Sequence, residues 1–418
     1  MRIDTFDILR CPFCGGRLEL VRDLFHEATD REVANGVIAC ECCVFPVVDG
    51  IPVMHLQPNA NTARMHVEQA RPDLALRAMV GLERDEEAER FEAAAKSSAA
   101  TFRDIVESLG SGFEGGYFLY RFSDPTFIVA QAIVRAVAGS VLRGRRRAID
   151  VCGGSGHLTR TLMELSPADA LPPVLADLYF AKIWLARRFT APGCEPVCSD
   201  GNGAFPFARG AFAYAMCSDA FMFIWQKRPF IGELCRLVDT PADPGTVLVT
   251  HTHNQLVWSP SHGNPLTPNG YRQLFETREV RAFAEAGLFA DVVGGGPLDL
   301  SRIDSPEALN ADPALTFIAT HEPAVFQPHP LHASTAPRGV FRINPMYQAS
   351  TDGTTMRLRL KFPDPDYEYE YGACRQYLPD ETSIDLGALK RLEAGGPMDE
   401  LADLIRRRVI VDLPRHYY

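Results

Sequence analysis

The sequence predicts an α/β protein built on a mainly parallel, doubly wound sheet, with a small cysteine-rich unit before it and a small α+β region after it. Three observations carry this expectation. From Arg147 onward short apolar runs alternate with helical stretches, the pattern of βαβ units. The first of these runs ends in an acid and opens into a glycine-rich turn, Asp150-Val-Cys-Gly-Gly-Ser-Gly156. Two C-x-x-C pairs, Cys11/Cys14 and Cys40/Cys43, mark the N-terminal unit.

Taken in order, residues 1–58 are turn-rich and cysteine-rich, and 59–125 read as a helical linker or cap. Residues 126–322 form the core and 323–418 an accessory region. Within the core, strands are expected at 148–151, 174–176, 195–198, 213–217 and 246–250, with helices at about 157–165, 180–190 and 226–238. A helix at 276–286 followed by strands at 290–293 and 315–320 would close the sheet. The Pro-, His- and Ser-rich stretch 322–345 reads as a linker. Beyond it, 355–362 is strand-like, and Tyr367-Glu-Tyr-Glu-Tyr371 alternates as a half-buried strand would. Helices at about 385–393 and 397–408 and a last strand from Val409 end the chain.

The chain has 418 residues, 46% apolar and 23% charged, which is ordinary globular composition and excludes disordered, collagen-like and coiled-coil classes. No apolar stretch reaches the ~20 residues of a spanning helix, and the N-terminus has no apolar h-region. A cytoplasmic location follows, with the 11 Cys serving as metal ligands or reduced thiols. The net charge of −11 weighs against nucleic acid as the main partner. A small-molecule acceptor with no membrane partner is expected, and a homo-oligomer stays open.

Twenty-five residues separate Cys14 from Cys40, and two C-x-x-C turns allow four thiolates to converge tetrahedrally on one Zn²⁺. The expected ligands are Cys11, Cys14, Cys40 and Cys43, with Cys42 as the alternative fourth. A unit this small lacks apolar area for a strong core, so the metal would supply much of its folding free energy. The segments Leu9-Arg-Cys-Pro-Phe-Cys-Gly-Gly and Phe45-Pro-Val-Val-Asp-Gly-Ile-Pro-Val-Met54 resemble the small zinc-ribbon proteins that activate RNA and protein methyltransferases. That resemblance implies a structural metal. Four sulfurs would leave no position open for substrate.

In the glycine-rich turn, the backbone can approach a ligand closely and the helix that follows offers unpaired N–H groups. Asp177 ends the next strand about 20 residues on, where a carboxylate can hold two ribose hydroxyls, and Asp200 ends the third. This set resembles class I methyltransferases that use S-adenosylmethionine (SAM). The resemblance implies that Asp150, Cys152, Gly154 and Gly156 hold the methionine portion, Asp177 the ribose and Asp200 the adenine. It extends to Phe205-Pro-Phe207 and the strand Phe212-Ala-Tyr-Ala-Met-Cys-Ser, although Cys152 stands where the family usually has Gly. A nicotinamide site is disfavoured, because the turn lacks G-x-G-x-x-G spacing and an acid directly precedes it.

Methyl transfer to O or N needs positioning and sometimes a base. The catalytic candidates are Asp219, His251 and His253 at the ends of the fourth and fifth strands, with Asn254 and His262 nearby. Tyr117, Tyr120, Phe221, Phe223 and Trp225 are candidate walls of an acceptor pocket. Two other readings remain. One is an RNA methyltransferase using the arginines at 143, 145, 146 and 147 or Arg406-Arg-Arg408, and the other is a non-catalytic scaffold, suggested by Cys152.

Overall fold

The computed structural model describes residues 1–110, 113, 115–142, 146–241, 244–259, 263–276, 278–331 and 339–418. Seven core strands run β1 (Arg147–Val151), β2 (Val174–Asp177), β3 (Glu195–Cys198), β4 (Phe212–Ser218), β5 (Thr246–His253), β6 (Val280–Ala284) and β7 (Ala314–Ala319). Among the described residues they pair in the order β3-β2-β1-β4-β5-β7-β6, and β7 is antiparallel to both its neighbours. The remaining pairings, β1 with β2 and β4, β2 with β3, and β4 with β5, are parallel. This is the Rossmann-like α/β architecture expected, with its strand order reversing at β1/β4.

Every residue of β1, β2 and β3 is buried, as a parallel sheet covered on both faces requires. Successive strand residues feed opposite cores. Ala148, Leu175 and Met216 pack on one side with the helix Pro125–Val141, the helical segment before it and the C-terminal region. Ile149, Ala176 and Ala215 pack on the other with the helix Lys227–Val238 and the N-terminal unit. The C-terminal region is tied in by Tyr417, whose hydroxyl lies 2.6 Å from both His157 Nε2 and the Phe118 carbonyl.

The N-terminal unit covers the β3 edge, which would otherwise leave backbone groups unpaired. Val53 bridges Cys198 in parallel, Met54 N–H donates to the Cys198 carbonyl at 2.7 Å, and Leu9 bridges Phe207. Two buried-edge polar links reinforce the contact: Arg147 to Asp4 at 2.6 Å, and Trp184 Nε1–H to Asp49 Oδ2 at 2.6 Å.

Three expectations are corrected. The stretch 276–286 contains strand β6 rather than a helix, and the helix is Glu285–Gly294, which covers the expected strand 290–293. The tyrosine cluster is a helix, Pro365–Tyr371, because Asp364 caps it by accepting from Tyr367 N–H and Pro365 occupies its first turn. Tyr367 and Tyr371, four apart, are buried on one face while Tyr369 stays exposed. The expected linker carries short strands at Pro328–His329 and Val340–Ile343, and 332–338 lie outside the described residues. Among the described residues, no helix is long and apolar enough to cross a membrane.

Candidate functional site

The carboxyl ends of β1 to β5 open into one cavity of about 1050 Å³, at the switch point where open α/β sheets bind ligands. Asp150, Cys152, Gly153, Gly154, Asp177 and Asp200 line one end of its wall; Asp219, His251 and His253 line another part. The expected residues at the ends of five separate strands thus meet in one space. Gly156 does not line it. Its φ of +75° makes it the cap of the helix His157–Leu165, where a Cβ would fall 2.7 Å from that of Ala186.

The glycine turn is locked to the second acid. Gly154 N–H donates to Asp177 Oδ2 at 3.0 Å, and Tyr179 N–H donates to Oδ1 at 2.9 Å. Burial pushes the Asp177 carboxyl up, opposed by these N–H donors. Cys152 takes the left-handed conformation at φ +60°, a strained position for a residue with a Cβ, and its N–H donates to the Ala176 carbonyl at 2.7 Å. Its thiol faces Gly201 in the loop after β3, where an added Cβ would meet the sulfur at 3.2 Å. Asp200 accepts from the Asn202 N–H at 2.8 Å.

Asp150 is buried and its Oδ2 accepts from Thr159 Oγ1 at 2.7 Å. Burial raises its carboxyl to about 7, only partly opposed by that hydrogen bond. The native group therefore keeps its proton up to about 7 while the unfolded chain releases it near 3.8, so stability falls as pH rises across that window. The gap amounts to roughly 4 kcal/mol at most. Asp150→Asn removes the effect, so its thermal midpoint is expected to gain on the parent protein between about pH 5 and about pH 8. A difference that does not change with pH would contradict this.

Asp219 and His251 also sit in the left-handed region, at φ +55° and +48°, where strain is characteristic of functional sites. The β5–β7 register shifts between Val249 and Thr252, so His251 and His253 reach the cavity through an irregularity as well as through alternation. Their ring centroids are 5.8 Å apart. His251 Nδ1 lies 2.8 Å from Glu285 Oε2, and Glu285 Oε1 accepts from His251 N–H at 2.6 Å and from Thr316 Oγ1 at 2.6 Å. Burial would lower the His251 imidazole, but Glu285 and Asp219 outweigh it and raise it to about 9. Asp219 Oδ2 pairs with Arg121 Nη2 at 2.9 Å and accepts from the Tyr117 hydroxyl at 3.2 Å. Arg121 is itself held by Asp124 at 3.0 Å.

Glu285 and Arg121 are functional candidates that sequence reasoning missed. A buried arginine inside the aromatic run Tyr117-Phe-Leu-Tyr-Arg-Phe was the available signal for Arg121; Glu285 had none. Asn254 is structural, donating to the carbonyls of Leu309, Asn310 and Asp312, and His262 lies outside the described residues. Tyr117, Phe223 and Trp225 line the cavity as expected, whereas Tyr120 packs on Tyr367 and Phe221 lies in the core. Of the arginine runs, Arg147 is buried against Asp4, Arg408 is half-buried and donates to Gln131, and 143 and 145 lie outside the described residues.

At the N-terminus the sulfurs that converge are those of Cys11, Cys14, Cys40 and Cys42, all within 4.8 Å of one another. The pairs Cys11–Cys42, Cys40–Cys42 and Cys14–Cys40 are 3.6, 3.6 and 3.7 Å apart. A Zn–S bond of about 2.3 Å gives tetrahedral edges of about 3.8 Å, so the donor set fits a metal ion. Cys43, the expected fourth ligand, is not among these four, although its sulfur lies 3.4 Å from that of Cys42. Its carbonyl accepts from Cys40 N–H at 3.0 Å, closing a turn that sends Cys42 toward the other sulfurs, and its side chain packs on the neighbouring core.

No known protein family matches the chain, and no curated protein does. Among solved structures it is similar to a Haemonchus contortus phosphoethanolamine N-methyltransferase, at 15% identity and TM-score 0.37, over 55% of this chain and 61% of that one. It is similar to a Thermotoga maritima SAM-dependent methyltransferase, at 12% identity and TM-score 0.33, over 52% and 99%. A chain of the Haloferax volcanii methyltransferase activator complex is 16% identical with TM-score 0.36, over 53% and 98%. The fold assignment stands on the strand order and the antiparallel β7 rather than on these distant likenesses.

Proposed function

We propose that this chain is a SAM-dependent methyltransferase acting on an oxygen or nitrogen of a small acceptor, such as a metabolite or natural-product intermediate. The observation that carries this reading is the clasp of Asp177 by Gly154 and Tyr179, which fixes a carboxylate at the wall of a cavity beside a glycine turn. Fixed in this way, Asp177 can accept from two ribose hydroxyls without reorganising. Asp200 adds a carboxylate to the same wall, where a cationic ligand would lie, and Asp150 adds a buried carboxyl group beside it. Ligand pockets usually span about 300–1,000 Å³, so this cavity has room for a cofactor and an acceptor side by side. Trp225, Trp258, Tyr369 and Tyr179 line it while remaining 76%, 73%, 70% and 62% exposed, which suits an acceptor with a flat or apolar portion.

Bound SAM would supply an electrophilic methyl group. The chain's own residues would hold the two reactants in line, exclude water, and receive the acceptor's proton. Of Asp219, His251 and His253 on that wall, His253 is the group positioned for that last task. Burial and the neighbouring His251 lower its imidazole, whereas Glu285 keeps His251 protonated and Arg121 pairs with Asp219. A zinc ion at the four N-terminal sulfurs belongs to the same reading as a structural element. Calorimetric titration of folded protein with SAM is expected to give a saturable heat at one ligand per chain. A flat titration would overturn the proposal.

A further inference from the structure

Outside the four-sulfur cluster, one other group among the described residues brings three metal-type ligands together. Asp219, His251 and His253 each offer a ligand atom, and these atoms lie within 4.8 Å of one another on the cavity wall. We propose that they form a second metal site, a two-histidine, one-carboxylate set for a divalent first-row transition ion that faces the acceptor. The inference rests on the functional reading only for the role of the site, and the ion itself is tested separately.

The surroundings are those of a metal site. Both rings have Nδ1 engaged with an oxygen: His251 with Glu285 at 2.8 Å, and His253 with Ser259 Oγ at 3.3 Å. Nε2 of each ring is left as its donor, and a carboxylate behind a ligating imidazole fixes its tautomer and orientation. Arg121 and Tyr117 occupy Oδ2 of Asp219, which leaves Oδ1 for an ion. Charge points the same way. Asp124 and Asp219 flank one guanidinium, Arg121, and Glu285 faces His251, so with both imidazoles neutral, as ligation requires, the group holds two more carboxylates than cations. A divalent ion cancels that excess, taking the place of any Nε2 proton. Mixed imidazole and carboxylate donors with open positions select zinc, iron(II) or cobalt(II) over magnesium or calcium. The left-handed φ of Asp219 and His251 shows backbone held in a costly state where the side chains converge.

The test uses full-length protein with its sulfur cluster already zinc-loaded, titrated with Co²⁺ and followed by visible absorption. One equivalent should bind with d–d bands and no thiolate charge-transfer band. His253→Ala and the isosteric Asp219→Asn should each abolish this uptake while circular dichroism stays unchanged. Glu285→Gln, a positioning change, should weaken it about 10–100-fold. Absence of Co²⁺ uptake by the parent protein, or uptake indifferent to both ligand substitutions, would overturn the site. SAM calorimetry on the same samples separates the two readings: heat without cobalt uptake removes the metal alone, and cobalt uptake without heat removes the methyltransferase.

Discussion

Asp177→Ala is expected to weaken SAM binding at least a hundredfold, to below calorimetric detection at ordinary protein concentrations. Hydrogen bonds to a charged group contribute about 1.5–3 kcal/mol each, so losing two to ribose removes roughly 3–6 kcal/mol. Alanine also frees the Gly154 and Tyr179 N–H groups, so the turn that should meet the methionine portion loses its anchor. Asp177→Asn separates these effects. Its amide oxygen can still accept from Tyr179, whereas its NH₂ would face the Gly154 donor, so affinity should fall to an intermediate value with little change in thermal midpoint. Equal affinity for parent and alanine variant would mean that SAM, if bound, sits elsewhere.

The glycine turn, Asp150, Asp177 and Asp200 were legible because their chemistry is local: a strand end, a tight turn and a helix start within a few residues of each other. The β1–β5 strands were legible for a related reason, since burial on both faces leaves near-continuous apolar runs. Edge elements carry less. Among the described residues strand β6 pairs only with β7, and its Val-Arg-Ala-Phe-Ala sequence satisfies a helical composition as well as a strand. The helix after it carries two Val, two Gly and a Phe among its ten residues, so tertiary packing overrode propensity in both places. Spacing of i, i+2 and i+4 left the tyrosines ambiguous, because i and i+4 also share a helical face. Glu285 and Arg121 reach the site from remote segments, a relation that no local pattern encodes. The choice between Cys42 and Cys43 turned on how the backbone folds back at Cys40, which two adjacent cysteines in a sequence do not encode.

That choice has the other large consequence. Cys42→Ser should release the N-terminal metal and unfold the unit around it, while Cys43→Ser should leave metal content unchanged and cost about 1 kcal/mol or less. Structural zinc supplies an apparent 10–16 kcal/mol to small metal-folded units, more than a short sheet of this size can replace by burial. The damage should spread. The same unit hydrogen-bonds β3 through Met54 and places His55 Nε2 3.4 Å from Cys198 Sγ, two residues before Asp200. Loss of the metal should therefore expose the β3 edge and loosen the Asp200 end of the cavity, lowering both the thermal midpoint and SAM affinity. Chelation of the parent protein should reproduce the Cys42→Ser result in both readouts. If Cys43→Ser instead loses the metal and Cys42→Ser keeps it, the sulfur geometry at the Cys40 turn is wrong. If neither does, the unit folds on its apolar contacts with the sheet, and Leu9, Phe45 and Val47, all fully buried there, supply more of its stability than the sulfurs do.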